Sequence, residues 1–223
     1  MRQEQEPTSA LDRAVEAGIV PVVVIDGVAD AERLGRALLD GGLPVAEVTL
    51  RTPGALAAVR RLAEEPRLVV GAGTVLDEAQ FDAAAEAGAT YVVSPGHAPG
   101  LFRAAARTGI PLLPGAVTAT EVMRVRDEGY RVVKFFPAEA SGGAAAVAAF
   151  AGPFPDVRFV PTGGVGLANL RDYLRLANVA AVGGSWMVPA ALLRDPDGSA
   201  ALTTIIAEAV AAAAGARQGR RSV

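Results

Sequence analysis

The stretch RVVKFFPAE, residues 131–139, organises the reading of this chain. Val132, Val133, Phe135 and Phe136 surround Lys134, and Pro137 ends the run, so the segment reads as a buried β-strand carrying one cation. That cation is the only lysine, because the 21 Lys+Arg residues divide into one Lys and 20 Arg. A lysine amine can shed its proton when desolvated and attack a carbonyl carbon; a guanidinium cannot. A lone strand-end lysine also fits a buried ion-pair partner, or a side chain that runs along apolar surface to reach water.

Working outward, the same strand pattern recurs eight times, at 18–25, 44–50, 67–73, 90–95, 110–115, 131–136, 157–162 and 179–184. Between the strands lie Ala/Leu/Glu/Arg-rich helical stretches, among them 29–41, 77–87, 119–128 and 166–176, with Gly41, Gly88, Gly109 and Gly129 placed as left-handed helix caps. Strict alternation implies a parallel sheet with helices outside, and eight units in this length imply a single (β/α)8 TIM barrel. A doubly wound open sheet is the rival. It is disfavoured because IDGVAD follows the first strand where a Gly-rich dinucleotide fingerprint would stand. The expected organisation is an N-terminal capping helix and lead-in at 1–17, the barrel at 18–215 and a flexible basic tail at 216–223.

Composition excludes several chemistries. There is no cysteine, hence no thiolate nucleophile or zinc-thiolate site, and one histidine, too few for most catalytic zinc sites. That residue, His97 in SPGHAPG, is expected to be solvated at a loop or helix start. Net charge is −3 with scattered arginines, which suggests a small-molecule substrate and no nucleic-acid partner. The opening MRQEQEPTSA lacks a leader pattern, and Gly, Pro and charges leave no stretch that reads as a membrane span, so no membrane partner and a cytoplasmic location are expected.

Barrel enzymes carry function at the C-terminal ends of their strands. On the second strand Glu47, Thr49 and Arg51 share one face, either as a structural ion pair or as a working acid and cation. On the sixth, Lys134 shares a face with Phe136, and in a barrel Glu47 and Lys134 converge from opposite sides. A carboxylate beside an amine can shuttle protons. The third strand ends VGAGT, where Gly71 and Gly73 permit either close backbone approach or turn geometry and Thr74 offers a hydroxyl. TGGVG at 162–166 and GGSW at 183–186 stand where barrels bind phosphate through backbone N–H groups.

Taken together, EVTLRT (47–52), VGAGTV (70–75), SPG (94–96), VVKFFPAE (132–139), GPF (152–154), PTGGV (161–165) and GGSWMVP (183–189) resemble the class I 2-keto-3-deoxy-6-phosphogluconate aldolases, a group that includes 4-hydroxy-2-oxoglutarate aldolases. The likeness runs from Gly18 to Pro189. It implies a homotrimer of barrels that uses no metal and no cofactor and acts on a small 2-keto acid and a phosphorylated aldehyde. By motif position it makes Lys134 the Schiff-base lysine and Glu47 the general acid/base. Arg51 and Thr74 then hold the pyruvyl carboxylate, Pro95 and Phe136 wall the pocket, and Thr162, Gly163, Gly164, Gly184 and Ser185 take the phosphate. The chain departs from the family at His97–Pro99 and in GAVTATE (115–121), which bears on the aldehyde side, although Thr118 keeps a hydroxyl there. Another phosphate-binding barrel, such as an isomerase or epimerase, and a non-catalytic phosphosugar-binding protein remain as alternatives.

Overall fold

Eight parallel strands carry the chain around a cylinder in the computed structural model, which describes residues 9–221. They are β1 (Ile19–Val23), β2 (Val45–Thr49), β3 (Val69–Gly73), β4 (Tyr91–Val93), β5 (Leu112–Leu113), β6 (Val132–Phe135), β7 (Arg158–Pro161) and β8 (Val182–Gly184). Ladders join them in the order β5-β4-β3-β2-β1-β8, with β6-β7 as a separate pair. Isolated bridges close the ring: Gly115 with Lys134 at one seam, and Phe159 with Val179 and Thr162 with Gly183 at the other. Lys134 is itself the first seam, since its N–H donates to Pro114 O at 2.8 Å and its carbonyl accepts from Ala116 N at 2.9 Å. Every strand lies inside its expected stretch, and the barrel prevails over the open sheet.

Strand alternation sorts the core into two bodies. Ala46 and Val48 face outward into the layer beneath the helices, with Val133 and Phe135. Val45 points inward with Val20, Val69, Tyr91 and Val160, and the short helix α1 (Ala10–Glu16) sets Leu11, Ala14 and Val15 against them. Thus α1 plugs the lower mouth and the inner side chains above that floor are free to be polar. A capping box between Ser9 and Asp12 starts α1 at the expected place. The expected lead-in at 1–8 lies outside the described residues.

The helices depart from expectation in instructive ways. Gly41, which closes α2 (Val28–Asp40), is not left-handed, with φ −81°. It is small because a Cβ there would lie 2.6 Å from Ile206 Cγ2 on the final helix; Gly42, with φ +75°, makes the turn instead. Of the stretch 166–176, only Leu170–Leu174 is α-helix (α8 in chain order), because Asn169 Oδ1 accepts from Gly166 N at 2.8 Å and holds the residues before it in a loop. The flexible tail expected from residue 216 is corrected. The last helix, α10, runs Ser199–Arg221, Ala216 is buried, and Arg217 donates to the carbonyls of Val15, Glu16 and Ala180, tying the end of α1 to the barrel. Residues 222–223 lie outside the described residues. Ser199–Gln218 also has the length and mean hydropathy, 1.5, of a membrane span, where none was expected. In this fold its stripe of Leu202, Ile206, Ala209 and Ala213 packs into the layer around the barrel.

Candidate active site

On β2 and β6 the inward rows place Glu47 and Lys134 one step above the apolar floor. Lys134 Nζ donates to Glu47 Oε1 at 3.0 Å, and the two residues are 4% and 2% exposed, so this is a fully desolvated pair. Of the two readings of the Glu47 row, the Glu47–Arg51 ion pair is not formed; Glu47 serves the lysine. Stranding either charge by removing its partner costs about 3–5 kcal/mol in such surroundings. Thr49, the residue between Glu47 and Arg51 in that row, is spent on structure, donating to Val23 O at 3.0 Å.

The glycines of VGAGT have a reason that neither sequence reading named. Gly71 and Gly73 lie in extended β3, and a Cβ at Gly73 would overlap the Glu47 carboxylate, with its Cγ 2.7 Å away. A Cβ at Gly71 would enter the ring of Tyr91. The two missing side chains therefore make the space that Glu47 and Tyr91 fill. Tyr91 donates to Ala46 O at 2.9 Å, and burial together with the charge of Glu47 holds its phenol well above the usual range, so it stays a proton donor beneath the site.

Just past β3, Thr74 is the only non-glycine among the described residues with positive φ, at 59°. A β-branched residue there is strained by on the order of 1 kcal/mol or more. Arg51 Nε donates to that hydroxyl at 3.1 Å. Arg51 is exposed and makes no ion pair among the described residues, leaving its terminal nitrogens for an anion.

A cavity of about 190 Å³ opens above the pair, lined by Arg51, Lys134, Phe136, Thr162, Gly163, Gly164, Gly184 and Ser185 among the expected residues. The Phe136 ring centroid is 5.5 Å from Lys134 Nζ. Gly163 and Gly164 take φ +96° and +78°, which only glycine adopts without strain, whereas Gly184 is small because a Cβ would enter the Trp186 ring. Val22 and Val24 also line the cavity. The sequence hid them, since GIVPVVVI is apolar throughout and shows no inward row.

Five of the expected residues fall outside this lining: Glu47, which reaches it through Lys134, Thr74, which reaches it through Arg51, and Pro95, His97 and Thr118. Pro95 is half-buried with its carbonyl packed against Gly115, one loop away. His97 is not simply solvated, because its Nδ1 is 2.9 Å from Gly115 O and its ring stacks on Phe102. Thr118 spends its hydroxyl as the N-cap of α6 (Ala119–Asp127), accepting from Glu121 N. A second groove, about 210 Å³, runs outside the barrel between α2 and α3 (Ala55–Ala63), where Arg61 is already paired with Glu32 and Glu64.

Comparison with known proteins agrees with this geometry. The family model described as "Aldolase: KDPG and KHG aldolase" matches residues 11–204. The chain is 52% identical over 195 residues to the 2-dehydro-3-deoxy-phosphogluconate aldolase of Pseudomonas aeruginosa, covering 86% of this chain and 89% of that protein. The crystal structure of the KDPG aldolase of Legionella pneumophila, with pyruvate captured at low pH as a covalent carbinolamine intermediate, aligns at TM-score 0.85 and 41% identity over 88% of this chain and 96% of that one. The KDPG aldolase of Zymomonas mobilis with 3-phosphoglycerate aligns at TM-score 0.85 and 43% identity, covering 92% and 97%. With a desolvated lysine–glutamate pair set in a parallel barrel and identity at this level over most of its length, the chain belongs to the KDPG and KHG aldolase family.

Proposed function

We propose that this protein is a carbon–carbon lyase that cleaves 2-dehydro-3-deoxy-6-phosphogluconate reversibly to pyruvate and glyceraldehyde 3-phosphate through a Schiff base on Lys134. The observation that carries the reading is the 3.0 Å contact between Glu47 Oε1 and the Nζ of Lys134, which lines the cavity. Glu47 takes a proton from the ammonium, and the free amine adds to the C2 ketone. Glu47 returns a proton to the carbinolamine hydroxyl, water leaves, and an iminium forms. The iminium then accepts the electron pair of the breaking C3–C4 bond while Glu47 removes the 4-hydroxyl proton. The aldehyde departs, the enamine is reprotonated at C3, and water hydrolyses the imine to pyruvate and free Lys134.

Arg51, held by Thr74, suits the carboxylate of the keto acid through its planar fork. The Gly163–Gly164 turn and Ser185, across the cavity mouth, suit the 6-phosphate, whose binding orients the reacting carbon. The pyruvyl half of the site does not involve the phosphate, which favours 4-hydroxy-2-oxoglutarate as a second substrate. A homotrimer and a cytoplasmic location belong to the same proposal, supported by family resemblance and by the charged, phosphorylated substrate. Sedimentation equilibrium tests the first.

The mechanism is tested by borohydride reduction in the presence of pyruvate. A reduced adduct on Lys134 is expected. Labelling elsewhere, or none, overturns the mechanism, and an isomerase or a pure binding protein would leave Lys134 unlabelled. A coupled pyruvate-release assay with phosphogluconate, phosphogalactonate and hydroxyglutarate substrates then ranks them.

A further inference from the structure

Glu139 ends the stretch RVVKFFPAE, and the chemistry above makes no use of it. It lies five residues beyond Lys134, in a 3-10 turn (Glu139–Ser141) that follows β6. Its N–H donates to Gly163 O at 3.1 Å, and the N–H of Ala138 donates to Thr162 O at 2.8 Å, so the backbone after the lysine strand is laced to the TGG turn. The side chain adds a second attachment. A Cβ on Gly164 would come 2.5 Å from Glu139 Cγ, so the carboxylate stem packs against the glycine. The carboxylate accepts a hydrogen bond from the hydroxyl of Tyr173, a fully buried residue of α8. Burial and that carboxylate both push the Tyr173 phenol above its usual range, so it stays a donor. On the far side of the turn, Asn169 Nδ2 donates to Gly164 O at 3.0 Å.

Glu139 stands exposed, and a free carboxylate beside an anion-binding turn would repel the anion. Tyr173 ties it back toward α8. We infer that Glu139 and Tyr173 are positioning residues that hold the Gly163–Gly164 turn at a fixed span from Lys134, so that a substrate anchored by its phosphate presents C2 to the amine. The inference rests on the proposed reading of that turn as the phosphate end.

The test compares a phosphate-dependent readout, cleavage of 2-dehydro-3-deoxy-6-phosphogluconate, with a phosphate-free one, borohydride trapping of pyruvate at Lys134. Ser185→Ala serves as the reference for the phosphate end. Tyr173→Phe is expected to raise KM for the phosphorylated substrate by about tenfold or more, the effect of one lost hydrogen bond to a charged group, while kcat and pyruvate trapping hold. Glu139→Ala also loses the tether and should raise KM, by less, because the repelling charge goes with it. Glu139→Gln, whose amide oxygen still accepts from Tyr173, should restore the wild-type KM. Parallel losses in both readouts would mean a general structural role and overturn the inference. So would an unchanged KM in Tyr173→Phe when Ser185→Ala raises it. If Ser185→Ala also leaves KM unchanged, the phosphate reading of the turn is what fails, and the inference falls with it.

Discussion

At the Lys134 end of the cavity the reacting groups are side chains on strand interiors, nearly without solvent and set against the apolar floor; at the Ser185 end they are backbone groups and an exposed hydroxyl carried on loops. The first end derives precision from exclusion. Glu47 has one place to lie because Gly73 vacates it, and Lys134 is pinned by seam hydrogen bonds on both sides of its peptide. The second end derives precision from backbone conformation, in two consecutive left-handed glycines laced to the turn after β6. Variants should therefore act on different constants: kcat at the buried end, KM at the rim.

The largest break in that contrast is Lys134→Arg. The substitution keeps a cation beside Glu47 but removes the amine that could lose a proton, so kcat should fall by at least about 10⁴-fold, the scale seen when a covalent nucleophile is lost. Circular dichroism and thermal melting should show a folded barrel. Appreciable turnover by the folded variant would return Lys134 to the role of a structural ion-pair partner.

A finer break uses a residue with no functional atoms. In Gly73→Ala the new methyl competes with the Glu47 carboxylate for the same space, and the carboxylate must move. A shift on the order of 1 Å in a proton shuttle costs about 10²-fold in rate. That sets Gly73→Ala inside the 10²–10⁴-fold range expected for Glu47→Gln, which removes the acid/base outright. Stopped-flow measurement of Schiff-base formation tests this. An undiminished rate in Gly73→Ala would show that the carboxylate tolerates displacement and that exclusion is not what fixes it.

Much of the fold could be read because its signals are periodic. Eight apolar runs separated by helical stretches define the barrel, and the i, i+2 row from Glu47 to Arg51 gives the inward face of β2. What could not be read depends on contacts distant in sequence. Gly73 is small for the sake of a side chain 26 positions earlier, which no local pattern announces. Arg217 reaches carbonyls some 200 residues before it, so a basic C-terminal stretch that reads as a tail is in fact an anchor. His97, expected to be solvated, and Thr118, whose hydroxyl the family resemblance left available, have their partners in a neighbouring loop and in a helix cap.

Between the two ends lies Arg51, and the smallest expected effect sits there. Its Nε is held by the Thr74 hydroxyl, and Thr74 takes a backbone conformation a threonine seldom adopts. Thr74→Val keeps the shape and the strain but deletes the acceptor, so the guanidinium keeps its charge and loses its orientation. The KM for the keto acid should rise by about fivefold, the worth of one hydrogen bond, while kcat changes little. Thr74→Ser retains the acceptor and should stay near the parent. A pyruvate titration of borohydride trapping reads the difference directly. If Thr74→Val instead lowers kcat as Gly73→Ala does, Arg51 belongs with the buried pair, and the division between a chemical end and a binding end is drawn in the wrong place.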